Sequence, residues 1–183
     1  MFSFIGKISS GKIVMFLLIG LIIFGLASVW ALHHFFESHY NFRESVSIEK
    51  KISNLKNMAL LYAVKNGGNY ANLSISALQV DKIITSENWT IKKGWGYPLN
   101  QNIIQVYWIR SGGYNNSPYY IGFKDISLIN NQAYLVCRYF ENDINAVYYN
   151  KIWHPIKANN KCGKIIPKNE SFVPGREMYL SFE

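Results

Sequence analysis

The apolar run IVMFLLIGLIIFGLASVWAL, at residues 13–32 of the 183-residue chain, decides the architecture. It begins at Ile13, ends at Leu32 and holds no charged side chain. A helix needs about twenty consecutive apolar residues to cross the hydrocarbon core of a bilayer. A cleaved secretory signal ends in small residues, whereas bulky ones such as Phe35 and Phe36 follow this run. We therefore predict a retained transmembrane helix over 13–32.

The charges on either side of the run predict its orientation. Lys7 and Lys12 precede it, whereas His33 and Glu37 are among the first polar residues after it. Because the more basic flank of a membrane helix stays in the cytoplasm, residues 1–12 are predicted to be cytoplasmic. The chain is then expected to be a single-pass inner-membrane protein whose C-terminal domain lies in the periplasm.

Two cysteines, Cys137 and Cys162, lie in the part of the chain that is predicted to be exported. An oxidising compartment favours a disulfide bond between them, and these two residues allow only one intramolecular pair. The bond would close a loop whose chain entropy is worth about 3 kcal/mol. Two buried free thiols remain the alternative.

An amphipathic helix is predicted to continue the anchor over 33–66. Gly67 and Gly68 tolerate positive φ and are expected to end this helix. Polar residues such as Lys50 and Asn54 lie on its other faces, so its one apolar stripe suits packing on a sheet. The stripe repeats at steps of four and three residues: Ile48, Ile52, Leu55, Ala59 and Tyr62.

The remaining residues, 67–183, are predicted to form one globular αβ domain. The chain is rich in aromatic residues (13 Tyr, 11 Phe, 5 Trp) and only 16% charged, which is typical of a packed, strand-rich body rather than a disordered tail. Periodicity does not decide between helix and strand at 131–141. The other predicted elements are a short helix within 70–84, a turn-rich segment at 93–98, a hairpin of strands 102–110 and 119–124, a strand at 146–153 and a last strand near 178–182.

The charge pattern gives no sign of a nucleic-acid arm, although the formal charge is +8. The basic residues are scattered, and no specific nucleic acid is expected as a partner. Attraction to an anionic surface remains open. The tightest basic groups are Lys50 with Lys51, Lys92 with Lys93, and the set Lys157, Lys161, Lys164 and Lys168.

Enzymatic chemistry is not expected either. Outside the anchor region the only histidine is His154, and no signature of nucleophilic catalysis accompanies it. His33, His34 and His39 are interpreted as polar groups at a membrane boundary rather than metal ligands. We predict no catalytic residue, no metal, no cofactor and no small-molecule substrate.

Four tyrosines are candidates for a contact surface: Tyr114, Tyr119, Tyr148 and Tyr149. A tyrosine ring provides an apolar body and a polar tip, which suits an interface between proteins or a ligand surface. About half of the four are expected simply to pack on the sheet.

The layout resembles the type IV pilins, specifically the class IVb branch. A helix that is apolar in its first half and amphipathic in its second leads into a small antiparallel sheet, whose C-terminal region is closed by one disulfide. Three local motifs carry the resemblance: Gly67-Gly68-Asn69-Tyr70 followed by Leu73 and Leu78, the pair Trp95-Gly96, and the stretch from Tyr120 through Cys137 to Asn150. The resemblance implies an α+β, pilin-like fold with a cysteine-bearing helix at 131–140.

The chain departs from that family at one position. Type IV pilins carry a glutamate at the fifth mature position, but cleavage after Gly11 places Phe16 there and cleavage after Gly6 places Gly11 there. The resemblance therefore implies a minor subunit of a class IVb pilus that acts in filament assembly or surface attachment of a bacterium. Its partners would be other pilin-like subunits, met through the N-terminal helix, and membrane lipid. The alternative is a non-polymerising bitopic protein that serves as the scaffold of an envelope or secretion machine.

Overall fold

The computed structural model describes residues 10–85, 89–92, 95–98, 105–125, 128–169, 171, 173 and 177–183. These residues form an α+β structure with an N-terminal apolar helix, an antiparallel sheet and one disulfide. The helices are α1 (Ser10–Lys65), α2 (Ile75–Val80), α3 (Asn130–Phe140) and α4 (Cys162–Ile165). The strands are β1 (Trp89–Lys92), β2 (Trp95–Pro98), β3 (Gln105–Ser111), β4 (Tyr119–Asp125), β5 (Ile144–Tyr149), β6 (Ile152–Pro155) and β7 (Glu177–Phe182).

The long helix predicted from the sequence is confirmed as α1. It ends where Gly67 and Gly68 adopt positive φ angles of 66° and 84°, and Gly68 N donates to Ala63 O across 2.7 Å. The chain divides into two compact units, 1–40 and 41–183, so the second half of α1 belongs to the same unit as the sheet. The domain boundaries predicted at residues 12, 32 and 66 stay predictions.

The seven strands form one antiparallel sheet in the order β1-β2-β3-β4-β7-β5-β6. The predicted hairpin is confirmed as β3 and β4, which pair from Gln105↔Asp125 to Ser111↔Tyr119. Residues 102–104 of its predicted first strand lie outside the described residues. The predicted last strand is confirmed as β7, but its position between β4 and β5 was not foreseen.

One face of the sheet packs on the second half of α1 and builds the core. The predicted stripe is confirmed: Ile48, Ile52, Leu55 and Ala59 are fully buried, and Tyr62 is nearly so. Large side chains of the sheet belong to the same buried cluster, including Tyr107, Phe123, Met178, Leu180 and Phe182. Burial of this apolar area is the main favourable term in folding the unit.

The prediction of one strand over 146–153 is wrong. Asn150 and Lys151 both have positive φ (53° and 64°) and form a two-residue turn that joins β5 to β6. Positive φ at both central residues is the geometry of tight hairpin turns, and asparagine tolerates it better than most residues. The strand-like composition on both sides concealed the turn.

Part of the segment at 93–98, which was predicted to be turn-rich, is instead a strand. Trp95–Pro98 is β2, which pairs with β1 and with β3. Its glycine suggested a turn, but Gly96 lies opposite Tyr107 and its Cα faces the Trp89 ring, where a Cβ would come within 3.0 Å. A glycine in a strand often marks such a close approach.

The structure confirms two further predicted helices. The short helix expected within 70–84 is α2, which Ser74 caps by accepting a hydrogen bond from Ala77 N. The ambiguous segment at 131–141 is helical, as the family resemblance implied. Its apolar positions line up on one buried face of α3: Ala133, Val136, Cys137 and Phe140.

Candidate functional site

The N-terminal half of α1 contains a 23-residue span, Val14–Phe36, with a mean hydropathy of 2.5 and no part buried within the chain. Side chains all round it are exposed, among them Leu17, Phe24 and Trp30. A helix that is apolar on every side needs an apolar environment. The span has the length and composition of a single membrane-crossing helix. The predicted limits Ile13 and Leu32 stay predictions, and the Ile13 side chain lies outside the described residues.

A row of five aromatic side chains crosses the outer face of the sheet, opposite the core. We call Trp95, Trp108, Tyr179, Tyr148 and Trp153 the aromatic row. They come from β2, β3, β7, β5 and β6 respectively. The strand register aligns them, because Trp108 and Tyr179 both lie opposite Gly122 of β4, and Tyr148 lies opposite both Tyr179 and Trp153.

Successive rings of the aromatic row touch one another. The centroid distances are 4.7 Å for Trp95–Trp108, 5.1 Å for Trp108–Tyr179, 4.4 Å for Tyr179–Tyr148 and 5.5 Å for Tyr148–Trp153. The two tyrosine rings stack at 10°, and the other pairs meet edge to face. Each such pair contributes about 0.5–1.5 kcal/mol beyond its buried area, so the row is a packed layer and not five independent side chains.

Gly122 allows the row to cross β4. The Trp108 indole lies directly over it, and a Cβ at this position would come within 2.2 Å of the ring. Any side chain would therefore push Trp108 off the strand. Aromatic rings that cover a glycine on a sheet face are a recognised stabilising device.

The structure divides the four tyrosines singled out from the sequence into two pairs. Tyr119 and Tyr149 are buried on the core side, so they are not surface residues. Tyr114 and Tyr148 lie at the outer face, where both contact Trp153. About half were expected simply to pack on the sheet, and two of the four, Tyr119 and Tyr149, are buried there.

Tyr179, at the centre of the aromatic row, is uncharged at neutral pH. Burial raises the pKa of Tyr179 to about 12, and the neighbouring Glu177 carboxylate adds to the shift. Its phenol therefore keeps its proton and remains a hydrogen-bond donor. Neutral, amphipathic rings of this kind are enriched in the central parts of protein interfaces.

The predicted disulfide joins Cys137 of α3 to Cys162 of α4, with their Cα atoms 5.8 Å apart and both side chains buried. The alternative of two free thiols is excluded. Glu141 at the end of α3 also holds this region, since its Oε1 accepts a hydrogen bond from Cys162 N across 2.8 Å. Its Oε2 accepts a hydrogen bond from Arg138.

A buried polar cluster lies between α1 and the sheet. Lys51 Nζ donates to Ser47 Oγ and to Gln105 Oε1, each across 3.2 Å. Gln105 also donates to Asp125 (2.7 Å) and accepts from the Tyr107 hydroxyl (2.9 Å). Buried polar groups that are hydrogen-bonded fix one packing arrangement, since other arrangements leave them unsatisfied.

Two opposing effects act on the pKa of Lys51 in this cluster. Burial lowers its pKa from 10.5 to about 8, although the carboxylates of Asp125 and Glu44 act in the other direction. Glu44 is itself buried and accepts a hydrogen bond from Gln132 of α3 across 2.5 Å. The cluster therefore ties α1, the sheet and α3 together.

The histidines are not gathered into a site. His34 and His39 contact the rings of Trp30 and Phe35, and the His154 Nε2 lies 3.2 Å from Tyr149 O. Within the part of the chain that the structure describes, no three His, Cys, Asp or Glu residues group as metal ligands. The absence of a metal site and of catalysis stays a prediction.

No protein-family model, no curated protein and no solved structure matches the chain.

Sequence reasoning missed most of the aromatic row. It singled out Tyr148 as a contact residue and Trp95 only as part of a family motif, and it did not select Trp108, Trp153 or Tyr179. The alternation of residues within strands carries part of the signal, because Trp108 lies between the core residues Tyr107 and Ile109. The rest of the signal is the order of the strands in the sheet, which sequence periodicity does not give.

Proposed function

We propose that this chain is a pilin-like subunit of a type IV pilus, class IVb, in a minor position. In this proposal residues 14–36 associate with lipid or with the apolar helices of other subunits. The outer domain then acts by contact, in filament assembly or surface attachment, and carries no chemistry of its own. The C-terminal domain lies on the periplasmic side until the subunit is incorporated.

One arrangement carries the proposal. A helix whose first half is apolar and uncovered continues into a half that packs on an antiparallel sheet. The order β4, cysteine-bearing α3, β5 agrees with the layout on which the family resemblance rests. A disulfide then ties α3 to the C-terminal region. These features support the proposal jointly, since each alone occurs in many folds.

The sequence of the anchor favours a second candidate, a non-polymerising bitopic protein that scaffolds an envelope or secretion machine. No acidic residue precedes Glu37, so the chain has no carboxylate for pairing with a neighbour's N-terminal amine in an apolar filament interior. An unpaired charge there is costly, and the pairing is one that a polymerising subunit would use. A minor subunit that caps or primes a filament can lack it.

Mass spectrometry of the membrane-extracted protein separates the two candidates. The full-length chain is co-expressed with a prepilin peptidase or without one, and the intact mass is measured. A pilin-like subunit is expected to lose the residues up to Gly6 or Gly11 only when the peptidase is present. An unshortened chain in both samples, together with its absence from sheared surface filaments, would leave the scaffold as the better candidate.

A further inference from the structure

The charge of the chain is unevenly distributed near its C-terminus. Between Ile144 and Asn169 the sequence contains five lysines and no acidic residue. Four of these lysines lie within residues 157–168, which we call the lysine segment: Lys157, Lys161, Lys164 and Lys168. Like charges so close together repel one another and lower stability, so this distribution is unfavourable for folding alone.

The fold holds the lysine segment in place. Its first part is a turn in which Asn160 N donates to Lys157 O, and its middle is α4, which the disulfide fixes to α3. The Lys164 ammonium reaches back and donates to the backbone oxygen of Asn159 across 2.8 Å. Three of the four ammonium groups thus belong to one turn and the helix that follows it.

The segment then runs beside α3 in the opposite direction. Cys162 meets Glu141 at the C-terminal end of α3, the Lys168 ammonium lies 4.6 Å from the centre of the Tyr134 ring, and Asn169 O accepts from Asn131 N at the other end. A helix of eleven residues is about 16 Å long at 1.5 Å per residue. The part of the segment from Cys162 onwards, which includes Lys164 and Lys168, therefore follows α3 over about that length.

These charges are available to a partner. All four lysines are exposed, and none forms an ion pair with a residue that the structure describes. Glu141 does not neutralise them from the surface, because it is buried and its oxygens accept from Cys162 N and Arg138. Exposed charges of one sign along a line attract a flexible chain of the opposite sign.

We infer that the lysine segment binds an acidic polysaccharide, a linear chain of sugars that carry carboxylate groups. Lysines act as point charges, so they match repeated carboxylates without the planar geometry that arginine requires. The exposed amide of Asn159 offers a donor and an acceptor to sugar hydroxyls. Single-stranded nucleic acid binds through free aromatic faces, whereas Lys168 covers the face of Tyr134. The inference does not depend on membership of a filament.

The test uses the full-length protein in a non-ionic detergent and labelled polygalacturonate oligosaccharides as the probe. The test variant changes all four lysines of the segment to Gln. A matched control changes four exposed lysines elsewhere, Lys50, Lys65, Lys82 and Lys124, so both variants lose the same charge. A third variant, in which the four segment lysines become Arg, keeps the charge. Unfolding midpoints are measured for all the proteins.

The segment variant is expected to bind at least about tenfold more weakly at about 0.1 M salt, while the control changes by less than about threefold, because at this ionic strength screening confines the effect of each charge to about 10 Å. The Arg variant should bind like the unmodified protein. Equal losses in the segment variant and the control would show that only net charge matters and would overturn the inference. So would unmodified protein that binds polygalacturonate no better than neutral dextran, or that binds single-stranded DNA of equal charge more tightly.

Discussion

The two halves of α1 have the same secondary structure and opposite surroundings. Ile22 in the first half exposes 61% of its surface, whereas Ile52 in the second half is fully buried. Both are isoleucines in a continuous helix, so propensity does not distinguish them. The second half obtains its stability from the sheet within the same chain, and the first half has no such cover among the described residues.

The exposed fraction of the apolar side chains in each half shows whether other parts of the chain cover them. Helical periodicity at 48–62 predicted an apolar stripe, and the structure fills that stripe with the inner face of the sheet. The run at 14–36 has no stripe because every side is apolar, and none of the residues that the structure describes buries it. A mutation should therefore act on folding in one half and on association or insertion in the other.

The largest expected effect comes from a matched pair of substitutions. Ile52→Ala removes a fully buried side chain and is expected to lower the free energy of unfolding of the domain by about 4 kcal/mol. Ile22→Ala should leave it unchanged, because the Ile22 side chain is exposed and is not part of the buried core cluster. Denaturant unfolding of the full-length protein in detergent, followed by tryptophan fluorescence, measures both. Equal losses in the free energy of unfolding would contradict the conclusion that only the second half of α1 packs on the sheet.

Loss of the disulfide ranks next. Cys137→Ser and Cys162→Ser should each lower the domain's free energy of unfolding by about 3 kcal/mol, since both remove the same loop constraint. Neither should alter membrane extraction of the chain, which depends on residues 14–36. The double variant is the control, because it should be no less stable than either single variant. Two titratable thiols in the denatured, unreduced protein would contradict the bond.

A glycine pair gives a smaller effect. Gly122→Ala places a methyl group within the Trp108 indole and is expected to lower the free energy of unfolding by about 2 kcal/mol. Gly25→Ala, in the apolar half, has nothing within 4 Å of the new methyl group and should not destabilise the domain. Near-ultraviolet circular dichroism should change in the first variant only, because the aromatic row is disturbed. An unchanged aromatic signal in Gly122→Ala would show that the row is not packed as described.

The smallest effect concerns pH. Because burial lowers the pKa of Lys51 to about 8, the unfolded chain binds more protons than the folded one between about pH 8 and 10.5. Stability contributed by this residue is therefore expected to rise with pH in that window. Unfolding is measured at intervals from pH 8 to 9. Lys51→Met should flatten the rise, while Lys50→Met, one residue away and exposed, should not.

Single helices and hairpins could be predicted well, because the residues that determine them lie close together in the sequence. The stripe at 48–62 and the hairpin of strands 102–110 and 119–124 each depend on residues close in sequence. The turn at Asn150 and Lys151 was missed because strand-forming residues flank it on both sides. The wrong strand boundary that resulted hid Trp153, which faces Tyr148 across that turn.

The aromatic row could not be predicted because it depends on long-range strand order. Its members come from positions 95, 108, 148, 153 and 179, and they align only when β7 lies between β4 and β5. Periodicity indicates which residues share a face of one strand, but not which strands are neighbours. The disulfide was easier, because two cysteines permit one pairing.

The central position of β7 also determines when the sheet can be completed during synthesis. Strands β1 to β4 and strands β5 and β6 are made first, yet β7 is the strand that joins these two groups by pairing with both β4 and β5. During synthesis, both groups must therefore wait with unpaired edges until residues 177–182 arrive. Such edges are prone to mispairing, so this chain is expected to depend on a folding helper more than a sheet assembled in sequence order would.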